Sequence, residues 1–78
     1  MRIYVREYNS LGEFLRTLRK RLALTQEELS EILKVKRQSI SLWERNKAGP
    51  RTRTIKELCN LAKIDENTFA DIIKKWYS

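Results

Sequence analysis

The chain has 78 residues, a formal net charge of +7, one cysteine and no histidine. This length accommodates one domain with a modest core and disfavours a deep substrate cavity. A single cysteine excludes an intramolecular disulfide, and the lack of histidine and of a second cysteine excludes a zinc site of the usual Cys/His kind. No segment has the length and apolar character of a signal peptide or a transmembrane helix, so we expect a cytoplasmic location without membrane association.

The positive charge is concentrated in parts of the chain. Residues 34–53 carry a net charge of +6 and residues 1–24 carry +4, whereas residues 25–33 carry −3 and residues 54–78 are neutral overall. A basic stretch of this kind is typical of a phosphate-binding surface, although lysine and arginine can also serve simply to keep a small protein in solution.

The first predicted helix spans about residues 11–22, where apolar residues recur at helical spacing. Ser10 and Glu13 have the spacing of a capping box at its start. Residues 2–8 alternate between polar and apolar side chains, which fits a short strand, a partner-pairing segment or a frayed arm equally well. We therefore assign residues 1–9 to an N-terminal arm or strand.

Two further helices are predicted close together, over about residues 26–33 and 37–45. Thr25 and Glu28 have the spacing of a second capping box. Trp43 lies on the apolar side of the third helix and is predicted to be part of the core. About three residues join the two helices, and this short connection predicts a helix-turn-helix.

A turn at residues 46–50, which contain the one proline, leads to a fourth predicted helix over about residues 53–62. Asp65 is placed to cap a fifth helix, on which Trp76 either packs on the core or forms a dimer contact. We therefore predict an all-α fold, a compact five-helix bundle whose second and third helices form the helix-turn-helix. Residues 10–78 are assigned to this single domain.

A set of residues spread over four of the predicted helices matches a known pattern. The set comprises Thr25, Gln26, Glu27, Glu28, Leu29, Val35, Arg37, Ile40, Ser41, Trp43, Glu44, Arg45, Lys47, Pro50, Leu58, Leu61, Ala62 and Phe69. It resembles the helix-turn-helix domain of phage repressors and Cro, also called the xenobiotic-response-element family. The resemblance covers about residues 11–73.

The chain departs from the family pattern at three positions. Lys34 and Asn46 occupy turn positions that are often glycine, and Lys36 occupies a helix-cap position that is usually serine or threonine. A lysine side chain cannot accept the capping hydrogen bond, so we expect a weaker or shifted start of the third helix. Asparagine tolerates the left-handed conformation that ends a helix, so we expect Asn46 to be benign.

The third predicted helix presents an outward stripe that is suited to the DNA major groove. At 100° per residue, the positions opposite its apolar side are Arg37, Gln38, Ser41, Leu42 and Arg45. Arg37 can donate two hydrogen bonds to guanine and Gln38 can pair with adenine; Ser41 is adaptable and Leu42 can contact a thymine methyl. The alternative for these positions is that they are ordinary solvated helix residues. For Leu42 a separate alternative is packing against a neighbouring helix.

The resemblance also implies contacts to the DNA backbone and one structural ion pair. It implies that Gln26, at the start of the second helix, contacts phosphate through its side chain and backbone N–H. The predicted phosphate contacts are Thr25, Gln26, Lys36, Arg45, Lys47 and Arg51. For Arg53, a further phosphate contact and a solvated surface charge are equally compatible with the sequence. The resemblance further implies a partly buried ion pair between Arg19 and Glu44.

We expect a sequence-specific double-stranded DNA-binding regulator, most simply a repressor, that acts as a homodimer on an inverted repeat. The chain lacks histidine and a glycine-rich loop, so we expect no catalysis and no cofactor, metal or small-molecule substrate. The alternative is an antitoxin or antirepressor whose main role is to bind a protein partner. RNA binding is a weaker alternative, because the sequence offers no stacking aromatic surface.

Overall fold

A computed structural model describes residues 8–77 of the chain, and the side chains of residues 8–76. The described part folds into five helices in the order α1 (Leu11–Arg21), α2 (Gln26–Leu33), α3 (Arg37–Glu44), α4 (Thr52–Ala62) and α5 (Glu66–Tyr77). The predicted all-α fold is confirmed, and the predicted helix ends differ from these by one residue at most. The strand or arm predicted for residues 1–9 falls largely outside the described residues; Tyr8 and Asn9 belong to no helix or strand.

Three helices begin with a side-chain cap that the sequence indicated. The Thr25 hydroxyl accepts the Glu28 N–H and the Glu28 carboxylate accepts the Thr25 N–H, so the capping box of α2 is complete. The Asp65 carboxylate accepts the Thr68 N–H at the start of α5. At α1 the box is incomplete: the Ser10 hydroxyl accepts the Glu13 N–H, but the Glu13 carboxylate lies 3.5 Å from the N–H of Asn9 rather than bonding Ser10.

Helices α3 and α4 begin without any side-chain cap. Their N-cap residues are Lys36 and Arg51, whose side chains carry donors only. The missing cap at Lys36 was predicted from the sequence, yet α3 starts at Arg37, so the boundary does not shift. The first N–H groups of both helices are therefore left for solvent or a ligand.

Helices α1 to α4 all end in the same way, through a left-handed residue that is not glycine. The left-handed residues are Ala23, Lys34, Asn46 and Lys63, with φ between 56° and 59°. After each of them, the next backbone N–H bonds the carbonyl oxygen five residues back, as in a Schellman motif. The turn positions of Lys34 and Asn46 thus have the conformation that explains why glycine is frequent there.

One core joins all five helices. It is formed by Leu11, Phe14, Leu15, Leu18, Leu29, Leu33, Ile40, Trp43, Leu58, Cys59, Ala62, Phe69 and Ile72. Trp43 is buried, as predicted. Trp76 packs against this core and its indole N–H donates to the Tyr8 carbonyl oxygen at 2.8 Å, so the chain before α1 is fastened to α5. No helix within residues 8–77 has the length and apolarity needed to cross a bilayer.

Candidate nucleic-acid interface

The connection between α2 and α3 consists of Lys34, Val35 and Lys36. Lys34 has φ 56° and reverses the chain direction, and the Val35 N–H then bonds the Ser30 carbonyl oxygen at 3.0 Å. The half-buried Val35 side chain packs against the core. This short turn fixes α3 across α2, as in a helix-turn-helix.

The two faces of α3 differ as the sequence predicted. Ile40 and Trp43 point into the core, and Glu44 is also buried. The exposed side chains on the other face are those of Arg37, Gln38, Leu42 and Arg45, and Ser41 is partly exposed. Leu42 is 38% exposed, so part of this apolar side chain is accessible at the surface.

Gln38, Ser41, Leu42 and Arg45 line one shallow surface depression on this face. Arg45 folds back along the helix, where its Nε donates to the Ser41 carbonyl oxygen at 3.3 Å. This face offers hydrogen-bond donors, the Gln38 amide, which can also accept, and the apolar side chain of Leu42. Groups of these kinds can contact the edges of DNA bases. Arg37, one turn nearer the start of α3, is exposed beside them.

Arg19 and Glu44 lie together in an ion pair beneath this surface. The Arg19 Nε and Nη2 atoms donate to the two carboxylate oxygens of Glu44, at 2.7 and 3.1 Å, and Nη1 donates to the Leu24 carbonyl oxygen at 3.1 Å. The hydrogen bond to Glu44 raises the pKa of the Arg19 guanidinium. α1 is thereby tied to the last residue of α3 and to the turn before α2.

Gln26 has a role that sequence reasoning missed. Its Nε2 donates to the Glu44 Oε1 atom at 3.2 Å, so one carboxylate oxygen accepts from both Arg19 and Gln26. The Gln26 side chain is therefore held at the junction of α2 and α3. Thr25, predicted beside it at the phosphate surface, uses its hydroxyl oxygen to cap α2.

The predicted phosphate-contacting cations are all exposed, but they do not form one cluster. Lys36 and Arg51 line a cleft between the starts of α3 and α4, together with Arg53. Arg53 is drawn along α4 by an ion pair with Glu57 at 3.1 Å. Lys47 and Arg45 lie at the other end of α3, so cations flank the exposed face of α3 at both ends.

Three residues hold the C-terminal end of α3: Arg16 and Gly12, which the sequence did not single out, and Asn46, which it singled out only for its backbone conformation. Arg16 Nη2 donates to the Glu44 carbonyl oxygen at 3.1 Å. The Asn46 side chain is hydrogen-bonded to the first turn of α1, where it accepts the Gly12 N–H. Because Gly12 has no side chain, the Glu44 carbonyl oxygen and the Asn46 side chain can lie close to the α1 backbone. These contacts join residues that are 28 to 36 positions apart in the chain, so no local sequence pattern predicts them.

No group of three or more metal-ligating side chains occurs among residues 8–76. Cys59 is buried in the core, and burial raises the pKa of its thiol.

Comparisons with known proteins agree with this geometry. The family model described as a helix-turn-helix domain matches residues 12–73. The chain is similar to the solution structure of the DNA-binding domain of the P22 c2 repressor, with 26% identity and a TM-score of 0.67 over 78% of this chain and 80% of that chain. It also shares its fold with a mutant of the restriction-modification controller protein C.Esp1396I, with 21% identity and a TM-score of 0.61 over 96% of this chain and 92% of that chain.

No curated protein matches the chain significantly. The match to the family covers most of the chain, and it coincides with the helices that build the described surface. The chain belongs to the helix-turn-helix domain family, a class of DNA-binding transcriptional regulators.

Proposed function

We propose that the protein binds double-stranded DNA sequence-specifically by placing α3 in the major groove. The observation that carries the proposal is the exposed face of α3, where Arg37 and Gln38 occupy the first two positions and Leu42 follows one turn later. Side chains near the N-terminus of a recognition helix are the ones that contact base edges. Arg37 then donates to guanine, Gln38 pairs with adenine, Ser41 adapts to either base, and Leu42 contacts a thymine methyl.

The backbone contacts that we propose come from the surroundings of α3. Thr25 and Gln26 lie at the start of α2, where free N–H groups and the positive end of the helix dipole favour a phosphate. Lys36, Arg45, Lys47 and Arg51 supply the charge. These contacts set the position and orientation on the duplex but carry no sequence information themselves.

We propose that the protein acts as a homodimer on an inverted repeat. A single α3 of eight residues reaches only a few base pairs, whereas two copies related by a two-fold axis read twice that number. The half-sites are then expected about 10 base pairs apart, or a multiple of that, centre to centre.

We propose repression as the regulatory outcome. A bound dimer that covers a promoter excludes other proteins from it, and this requires no effector domain. The similarity to the P22 c2 repressor domain, at 26% identity, supports this choice.

Selection of bound fragments from random duplex DNA tests the proposal. We expect the wild-type chain to enrich an inverted repeat. The matched control carries Gln38→Ala and Leu42→Ala, which leave the net charge unchanged; we expect it to bind random DNA as wild type does and to enrich a weaker or shorter repeat. Failure of the wild-type chain to enrich any sequence would contradict the proposal and favour a protein partner, such as a toxin or an antirepressor, as its main ligand.

A further inference from the structure

The reading helix is short, and side-chain hydrogen bonds from other helices reach it at its C-terminal residue. α3 has eight residues, and no side chain caps its start. Its last turn, by contrast, receives the Arg16 guanidinium on the Glu44 carbonyl oxygen and the Arg19 guanidinium on the Glu44 carboxylate. These hydrogen bonds add to the core packing of Ile40 and Trp43 in holding α3.

Asn46 adds a third contact at the same end. Its backbone has φ 59°, which ends α3, and its side chain crosses to the first turn of α1. The Oδ1 atom accepts the Gly12 N–H at 3.0 Å, and the Nδ2 atom donates to the Ser10 hydroxyl oxygen at 3.3 Å. One side chain thus links the end of α3 to the start of α1.

The Gly12 N–H depends on this contact. It belongs to the first turn of α1, where backbone donors have no partner inside the helix. The Ser10 hydroxyl is occupied with the Glu13 N–H, and Gly12 is buried beneath the exposed Asn46 side chain, which supplies its hydrogen-bond acceptor. Loss of the Asn46 oxygen would leave the Gly12 N–H without its protein partner, which is destabilising.

The packing at Gly12 is also closed to a larger residue. A Cβ atom at this position would overlap the Glu44 carbonyl oxygen and would lie 2.9 Å from the Asn46 side-chain atoms. The end of α3 therefore rests directly on the α1 backbone, and the Asn46 amide fills the remaining space.

We propose that Asn46 is a positioning residue for sequence reading: its side chain fixes the C-terminal end of α3, and with it Lys47, on the first turn of α1. Glycine would satisfy the left-handed backbone at lower cost, but it would make neither hydrogen bond. The inference rests on the proposed DNA-binding function and adds to it a residue that acts without contacting DNA.

The test compares Asn46→Gly with Ala23→Gly. Both substitutions place glycine at a left-handed position without changing the charge, and Ala23 has φ 57° in the turn after α1. Asn46→Gly removes the two side-chain hydrogen bonds and relieves the backbone, so we expect it to fold. Ala23→Gly gives the same backbone relief without the loss of these bonds.

Two quantities are measured for each variant. The first is the ratio of affinity for the selected operator to affinity for random duplex DNA. We expect Asn46→Gly to lower this ratio about 2- to 10-fold per half-site, which is comparable to the net free energy of a single hydrogen bond although two are removed, and Ala23→Gly to leave it unchanged. The second is hydrogen exchange at the Gly12 amide without DNA, which we expect to accelerate in Asn46→Gly alone.

Asn46→Asp provides a rescue variant. It keeps an oxygen that can accept the Gly12 N–H, and its second oxygen can accept the Ser10 hydroxyl proton in place of the lost amide donor. We therefore expect slow exchange at the Gly12 amide and a near-wild-type affinity ratio, although the added negative charge weakens binding to both DNAs. This variant also keeps the test decisive if Asn46→Gly does not fold, because loss of the wild-type ratio despite a protected Gly12 amide would overturn the proposal.

The outcomes separate the inference from the proposed function. Failure of the wild-type chain to select an operator contradicts DNA reading, and the Gly12 amide still reports whether Asn46 links the two helices. An unchanged affinity ratio in Asn46→Gly, an equal fall in Ala23→Gly, or an unaltered Gly12 amide overturns the positioning role.

Discussion

Arg19 on α1 and Glu44 on α3 are joined by two parallel hydrogen bonds, with 17% of the Arg19 side chain and 4% of the Glu44 side chain exposed. This planar geometry fixes orientation as well as distance. Because Gln26 donates to the same carboxylate, the pair connects three helices around the start of α2 and the end of α3.

We expect removal of either charge to destabilise the fold substantially. Glu44→Gln leaves the Arg19 guanidinium without its counter-charge, and Arg19→Met leaves a buried carboxylate, so each should lower the free energy of unfolding by about 3 kcal/mol. The double variant should cost less than the two single changes together. Urea unfolding of the four proteins measures the coupling free energy.

Arg53 and Glu57 offer a matched control within the same chain. Their pair spans one turn of α4, with 60% and 34% of the two side chains exposed, so its coupling free energy should be about 0.3–0.5 kcal/mol. A coupling for Arg19 and Glu44 as small as this would show that apolar packing alone orients α3.

The capping box of α2 should make the free energy of unfolding depend on pH in the acidic range. Hydrogen bonds from the Thr25 backbone and hydroxyl lower the pKa of Glu28. A lowered folded-state pKa means that the stabilisation is complete above the unfolded-state pKa and is lost as the pH falls through the folded-state value. Wild type should therefore exceed Glu28→Gln in stability at neutral pH, and this difference should disappear in acid.

Urea unfolding at several pH values below 7 measures this difference. Glu31→Gln removes one negative charge from the same helix without touching the box and is the control. A difference between wild type and Glu28→Gln that stays constant down to strongly acidic pH would count against an ionised carboxylate in the cap.

Local patterns predicted the elements of this fold well. The apolar spacing and the Thr25 and Asp65 caps are written within four or five residues of sequence, so the helix ends were predicted to within one residue. The Ser10 box was only half right, because the Glu13 carboxylate turns toward the Asn9 N–H. A cap depends on how the chain enters the helix, and the spacing of two residues does not contain that information.

The candidate site was predicted less completely. The exposed stripe on α3 follows from helical periodicity and was placed correctly at the surface. The hydrogen bond between Gln26 and Glu44 and the contacts of Asn46 join residues 18 and more positions apart, so they depend on the packed geometry. Proximity in the fold, rather than residue type, gives these side chains their partners.

The proposed phosphate contacts predict a strong dependence of affinity on salt. Log affinity should fall linearly with log salt, with a slope near −0.9 per neutralised phosphate. Lys47→Ala should make the slope shallower by about one unit for each half-site and should weaken operator and random DNA alike. Lys74→Ala, an exposed charge on α5, is the matched control. Equal slopes for wild type and Lys47→Ala would exclude a phosphate contact there.

The most direct test of the account compares the DNA motifs that wild type and Arg37→Ala select from random duplex DNA. Arg37 begins α3 on its exposed face, so its loss should cost about 1–3 kcal/mol per half-site and remove the preference at one base pair of each half-site. The other positions of the repeat should stay as in wild type. An identical motif for the two proteins, or an equal loss of affinity for operator and random DNA, would contradict base reading by α3.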